Sequence, residues 1–194
     1  MQKIRVILVT DGDQAAQQVV ESVAYSLGLR CISASGGNPT PISGPEIVAL
    51  LQEVPYDPVL VLFDDKGHKD LGCGEQALKY VALHPAIEVL GALAVASNAG
   101  GTGVLTDFCI TRRGKIISGP VNKFGKPTVA PLGLPLVFGD TVDVLNELKI
   151  PLIVGIGDIG KMDYADHVCQ GAPITKKAIL AILKGVSSYE RDHS

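Results

Sequence analysis

The sequence predicts an α/β protein, a three-layer α/β/α sandwich built on a mostly parallel, flavodoxin-like sheet with one antiparallel hairpin excursion near 106–127. Three observations carry the prediction. First, KIRVILVTDGD (3–13) opens with a nearly unbroken apolar, β-branched run and stops abruptly at Thr10-Asp11-Gly12-Asp13. A strand apolar on both faces must be covered on both faces, as in a parallel sheet flanked by helices. Second, runs of the same character recur at Pro58–Phe63, Glu88–Ala96 and Pro151–Ile156. Third, segments with helical spacing of apolar residues lie between them, the alternation that defines the α/β class.

Taken in order, Gln14–Leu27 puts Val19, Val20, Val23, Ala24 and Leu27 on one helical face, and Gly28 closes the helix. Cys31–Ser35 reads as a short second strand. Gly36–Glu46 (GGNPTPISGPE) is a stiff Pro/Gly/Asn loop, open to a connecting or a ligand-facing role, that feeds a helix through Glu53 at Ser43-Gly44-Pro45. The third strand, Pro58–Phe63, ends in Asp64-Asp65, and a loop with Lys66, His68, Lys69 and Asp70 leads to a helix over Gly74–Leu83. That helix stops before His84-Pro85, because proline disfavours helical geometry in its neighbour. Strand four ends in Ser97-Asn98 and a glycine-rich loop. The alternation then breaks: Asp107–Thr111 and Lys115–Val121 flank Arg112-Arg113-Gly114 as a hairpin. A Pro-rich connection, a helix over Thr141–Leu148, the last parallel strand, a long loop and a helix over Thr175–Lys184 complete the reading. The tail, 186–194, reads as frayed.

The chain has 194 residues, 46% of them hydrophobic and 19% charged, which suits one compact domain over 1–194. A net charge of −3 argues against a whole-molecule nucleic-acid binder. Cys31, Cys73, Cys109 and Cys169 form no CxxC pair; His167 and Cys169 are the nearest approach to metal spacing. No signal peptide and no membrane-length apolar run is present, so the expectation is a soluble protein made in a reducing compartment.

Ligands of open α/β sheets collect beyond the carboxyl ends of the strands. With strands one and three adjacent, Asp11, Asp13, Asp64 and Asp65 share one crevice. These residues suit turns and helix caps. Crowded carboxylates also suit a hard cation, so Asp11, Asp13 and Asp64 are candidate ligands for Ca²⁺ or Mg²⁺. With Ser97 after strand four and Lys161 after strand five, the layout is similar to a phospho-receiver pocket, and the paired acids to metal-dependent phosphoryl-transfer folds.

Gly155–Lys161 (GIGDIGK) contains G-x-G-x-x-G and G-x-x-x-x-G-K together, yet neither context fits. No helix opens directly after it, and Met162 replaces the Ser or Thr that a phosphate loop needs. What remains is a tight turn in which Gly155, Gly157 and Gly160 allow close backbone approach, with Lys161 as an anion partner. At least one of the three is expected at φ > 0. No nucleophile–base arrangement emerges from spacing, and no catalytic residue is assigned.

Several stretches together, VILVTDGD (6–13), GGNPTPISG (36–44), DPVLVLFDD (57–65), ALKYVALHPAIEVLGALAVASN (77–98), GDTVDVL (139–145), PLIVGIGDIGKM (151–162) and GAPITKKA (171–178), resemble the soluble form of stage V sporulation protein AE of spore-forming Firmicutes. The resemblance implies a non-enzymatic, peripheral component of the system that moves dipicolinic acid, with its calcium, into the forespore and releases it in germination. Its implied partners are the membrane proteins of that transport complex at the spore inner membrane; homo-oligomerisation stays open. The residues add one feature of their own. From Phe108 to Gly139 the chain carries Arg112, Arg113, Lys115, Lys123 and Lys126 and no acid, leaving −8 on the remainder. The segment suits a guarded sheet edge, or docking against anionic lipid or an acidic partner.

Overall fold

The structure, a computed structural model, describes residues 3–66, 72–98, 100–129 and 133–185. The expected roles of His68, Lys69, Asp70 and the 186–194 tail lie outside the described residues.

The strands are β1 (Ile4–Val9), β2 (Arg30–Cys31), β3 (Val59–Leu62), β4 (Ile87–Val95), β5 (Val104–Leu105), β6 (Phe108–Ile110), β7 (Ile116–Ile117), β8 (Leu136–Val137) and β9 (Ile153–Ile156). Seven of them form one sheet in the order β2-β3-β1-β4-β9-β6-β7, and β5 pairs with β8 in a small antiparallel sheet. All pairings of the large sheet are parallel except β6–β7. β1 and β3 are neighbours as expected, in register Val6↔Val59 to Val9↔Leu62. In the flavodoxin order the second strand borders the first; here β2 pairs on the outer side of β3.

The pleat of β1 explains its uniform apolarity. Ile7 and Val9 pack into a core with helices α1 (Gln14–Ser26) and α4 (Pro173–Lys184), whereas Val6 and Leu8 pack opposite with α2 (Gly44–Glu53) and α3 (Cys73–Leu83). Each such side chain contributes about 1.5–3 kcal/mol on burial. Both sides of the sheet are therefore covered, which is the three-layer arrangement.

Helix boundaries follow local chemistry. Asp13 caps α1 by accepting from the Ala16 amide (2.9 Å), and Gly28 leaves the helix at φ +72°. Ser43 and Glu46 form a capping box for α2, with Pro45 in its first turn. Asp65 reaches from the end of β3 to cap α3, accepting from Gly74 and Glu75 (2.6 and 2.7 Å). Asp166 caps α4 from the preceding loop.

Two elements differ from expectation. The second strand is only Arg30–Cys31, and a 3₁₀ turn follows at Ser33–Ser35. There the Ser35 hydroxyl donates to Ile32 O and accepts from Leu62 N, replacing ladder bonds with side-chain bonds. The helix expected over Thr141–Leu148 is a 3₁₀ turn at Asp143–Glu147. Its Asp143 carboxylate accepts from Thr102 and Gly103 (2.9 and 2.8 Å), tying the segment to the glycine loop beyond β4. The excursion is the expected hairpin, β6–β7, and it extends the main sheet because β6 runs parallel to β9. Among the described residues no helix is long and apolar enough to cross a membrane.

Candidate functional site

The carboxyl ends of β1, β3 and β9 bring acidic side chains together. Asp11 is half-buried after β1; Asp64 is buried after β3. Asp64 accepts from the Gly12 and Lys66 amides, both at 3.2 Å. Burial, with Asp140 and Asp13 adding repulsion, outweighs these bonds and raises the Asp64 pKa to about 6. Burial likewise raises Asp11 well above the usual carboxylate range, reinforced by the charges of Asp13, Asp158 and Asp64. Asp158 is also raised by burial, against the opposing pull of Lys161.

Among the described residues, Lys161 is the cation that bridges acids of this crevice. Lys161 donates to Asp13 at 2.7 Å and pairs with Asp158 at 2.9 Å. For Asp13 burial alone would raise the pKa, but the Lys161 ammonium and the Ala16 amide lower it. Burial opposes the charge of Lys161, yet its two carboxylates raise its pKa above the usual lysine range. The crevice is thus divided. Asp13 and Asp158 share the single positive charge of Lys161, while Asp11 and Asp64 have ionisation made costly by burial and like charge.

The other predicted residues take separate places. Asp65 is turned away to the α3 N-terminus, where a Cβ on Gly72 would lie 2.0 Å from its carboxylate. Ser97, half-buried after β4, donates its amide to Phe138 O at 3.0 Å. The three glycines have three tasks. A Cβ on Gly155 would strike Cys109 Sγ, one on Gly157 would strike the Gly125 amide, and Gly160 turns the chain at φ +76°. Amides of this loop are engaged internally: Asp158 to Lys123 O, Gly160 to Asp166, Lys161 to Asp158 O. Among the described residues no three His, Cys, Asp or Glu side chains converge as a formed metal site. His167 Nδ1 accepts from the Cys169 amide and its ring stacks on Tyr164.

Sequence reasoning missed several supports. Thr10 stitches β1 to β4, donating to Leu93 O and accepting from Val95 N. Gly12 accepts from the Gly37 amide at 2.7 Å, and Thr40 exchanges bonds with Asp64, so the 36–44 loop is sewn to the crevice. Asp158 sits inside GIGDIGK and could have been flagged as the acid beside Lys161. Asp166 lay beyond reach, because it caps a helix seven residues away.

The second charged feature is the β6–β7 hairpin. Arg112, Arg113, Lys115 and Lys126 line a groove of about 330 Å³ whose walls include Ile117 and Pro127. Phe124 lies beneath the ammonium groups of Lys123 and Lys126, at 5.0 and 5.6 Å. Lys177 of α4 donates to Gly114 O at the hairpin turn. Asp163 pairs with Arg112 and, at 3.9 Å, with Lys126. It stands in a run of three non-glycine residues at positive φ: Met162 (48°), Asp163 (54°) and Tyr164 (70°). Each costs about 1–2 kcal/mol in this region. Burial of Met162, against Gly125 and Gly157, offsets that cost.

A family model for stage V sporulation protein AE1 matches residues 5–186. No curated protein and no solved structure matches the chain. The matched span takes in β1 from Arg5 onward, all the later strands described above, both charged features and the turn between them. This chain therefore belongs to the stage V sporulation protein AE1 family, a family with a role in sporulation.

Proposed function

We propose that this protein is a non-enzymatic accessory component of the spore dipicolinic acid uptake and release system, held at the membrane complex through its basic hairpin. The family membership supports a role in the spore. The observation that carries the docking is charge segregation: five basic residues and no acid between Phe108 and Gly139, on a chain of net −3. Arg113, Lys115 and Lys126 are exposed there. A basic residue near an anionic surface contributes about 1 kcal/mol, so the hairpin supports loose, salt-sensitive attachment, and Phe124 adds a shallow apolar contact. Sedimentation with anionic and neutral vesicles across a salt series, alongside recovery of membrane partners from sporulating cells, tests this. Attachment should fall with salt and with Arg112→Glu/Arg113→Glu/Lys115→Glu. Binding indifferent to both overturns the reading.

A second reading concerns the crevice, favoured by Asp11 and Asp64, whose ionisation is unfavourable without a counter-charge. A divalent cation, Ca²⁺ or Mg²⁺, would supply it and would let the acidic crevice accept a further anion. Calorimetry on the wild type and on Asp11→Asn/Asp64→Asn decides it; identical, heatless traces end the idea.

A further inference from the structure

Two residues of one short strap carry opposite charges into opposite sites. Lys161 enters the acidic crevice, and Asp163 enters the basic hairpin. The basic groove has four lining cations; Asp163 contacts Arg112 and Lys126, and Arg113 and Lys115 have no carboxylate within ion-pair distance among the described residues. The groove is thus only partly neutralised. Its internal anion is half-exposed, on backbone held in the left-handed region by burial of Met162 rather than by its own preference.

We propose that this groove is a binding site for a compact oxyanion, carboxylate or phosphate, and that Asp163, which pairs with two of its lining cations from outside the lining, competes with the external anion for them. The chemistry follows from the lining. Arg112 and Arg113 offer planar forks of N–H donors matched to two oxygens of one anion, and Lys115 and Lys126 offer mobile point charges. A volume of about 330 Å³ accommodates a small anion rather than a folded partner. Asp163 shows that two of the lining cations, Arg112 and Lys126, take a carboxylate partner. Exposed ion pairs are weak and salt-screened, so an anion in solution can compete with it. The site adds a ligand class and a built-in competitor to the hairpin, and it requires the observed exposure of Arg113, Lys115 and Lys126 rather than membrane attachment.

The test is an amide chemical-shift titration of the full chain with inorganic phosphate and, separately, malonate, at constant ionic strength. Saturable shifts are expected at Gly114, Lys115, Gly125 and Lys126. Asp163→Asn should tighten binding about fivefold, the size of an exposed ion pair expressed as an affinity ratio. Arg113→Gln/Lys115→Gln, two exposed changes, should abolish saturation. Response to phosphate alone or malonate alone identifies which oxyanion geometry the forks select. No saturation with either probe, unchanged or weaker binding in Asp163→Asn, or unchanged binding in the Arg113/Lys115 variant overturns the proposal. Vesicle sedimentation separates it from the docking reading. Small-anion binding without pelleting sinks docking alone, and pelleting without small-anion binding sinks this site alone.

Discussion

Replacing Asp64 by Asn should change how stability depends on pH. The folded-state pKa of Asp64 is raised to about 6, chiefly by burial; an unfolded aspartate titrates near 3.9. A raised folded pKa means that the native state holds its proton more tightly than the unfolded chain. The associated stability is therefore fully present below about pH 4 and is lost as pH climbs through about 6. Two pKa units correspond to about 3 kcal/mol, and no large discount for solvent applies because Asp64 is 4% exposed. Asn cannot titrate, yet it keeps one oxygen for the Gly12 or the Lys66 amide. Urea unfolding of both proteins at half-unit steps from pH 4 to 7 gives the difference in unfolding free energy at each pH. The wild-type advantage should shrink by about 2 kcal/mol across that range, because the unfolded aspartate is already half-ionised at its lower end. The constant part of the difference reports the lost hydrogen bond and is immaterial. A difference that stays flat within about 0.5 kcal/mol would show that Asp64 titrates normally. The crevice would then be better hydrated than its packing implies.

Asp166→Ala removes the acceptor shared by the Ile174 and Thr175 amides, the Thr175 hydroxyl and the Gly160 amide, in a fully buried setting. Cap loss together with buried donors left unpaired predicts about 3–5 kcal/mol of destabilisation by urea unfolding, and Asp166→Asn should recover part of it. Gly160→Ala, at φ +76° and with a Cβ 3.2 Å from Ala15 O, should cost about 1 kcal/mol or more and lower the melting temperature. Gly12→Ala places a Cβ 2.7 Å from Gly37 O, backbone that cannot rotate away, and should cost about 1–3 kcal/mol by the same measurement.

The layers are legible in the apolar pattern of the strands. Val6–Val9 is apolar on both faces of the strand, and a sheet covered twice accepts that pattern. Also legible were a left-handed turn among Gly155, Gly157 and Gly160, which falls at Gly160, and the helix start at Ser43-Gly44-Pro45, because these are local and their geometry follows from residue type. The hairpin was legible for the same reason: Arg112-Arg113-Gly114 separates two short apolar runs, and the Gly114 φ of +73° is the conformation a glycine turn provides. Which strand-end acids meet is set by the fold and not by their order along the chain. Asp64 and Asp65 are adjacent, yet one faces Gly12 and the other caps α3, because successive residues of an extended chain point to opposite sides. Only the fold carries Lys161 across 148 residues to Asp13, and Asp163 across 51 to Arg112. A sequence states which charges exist; their pairing depends on where parallel strands and the loops beyond them place the backbone, and that is fixed by burial of side chains far from the charges themselves.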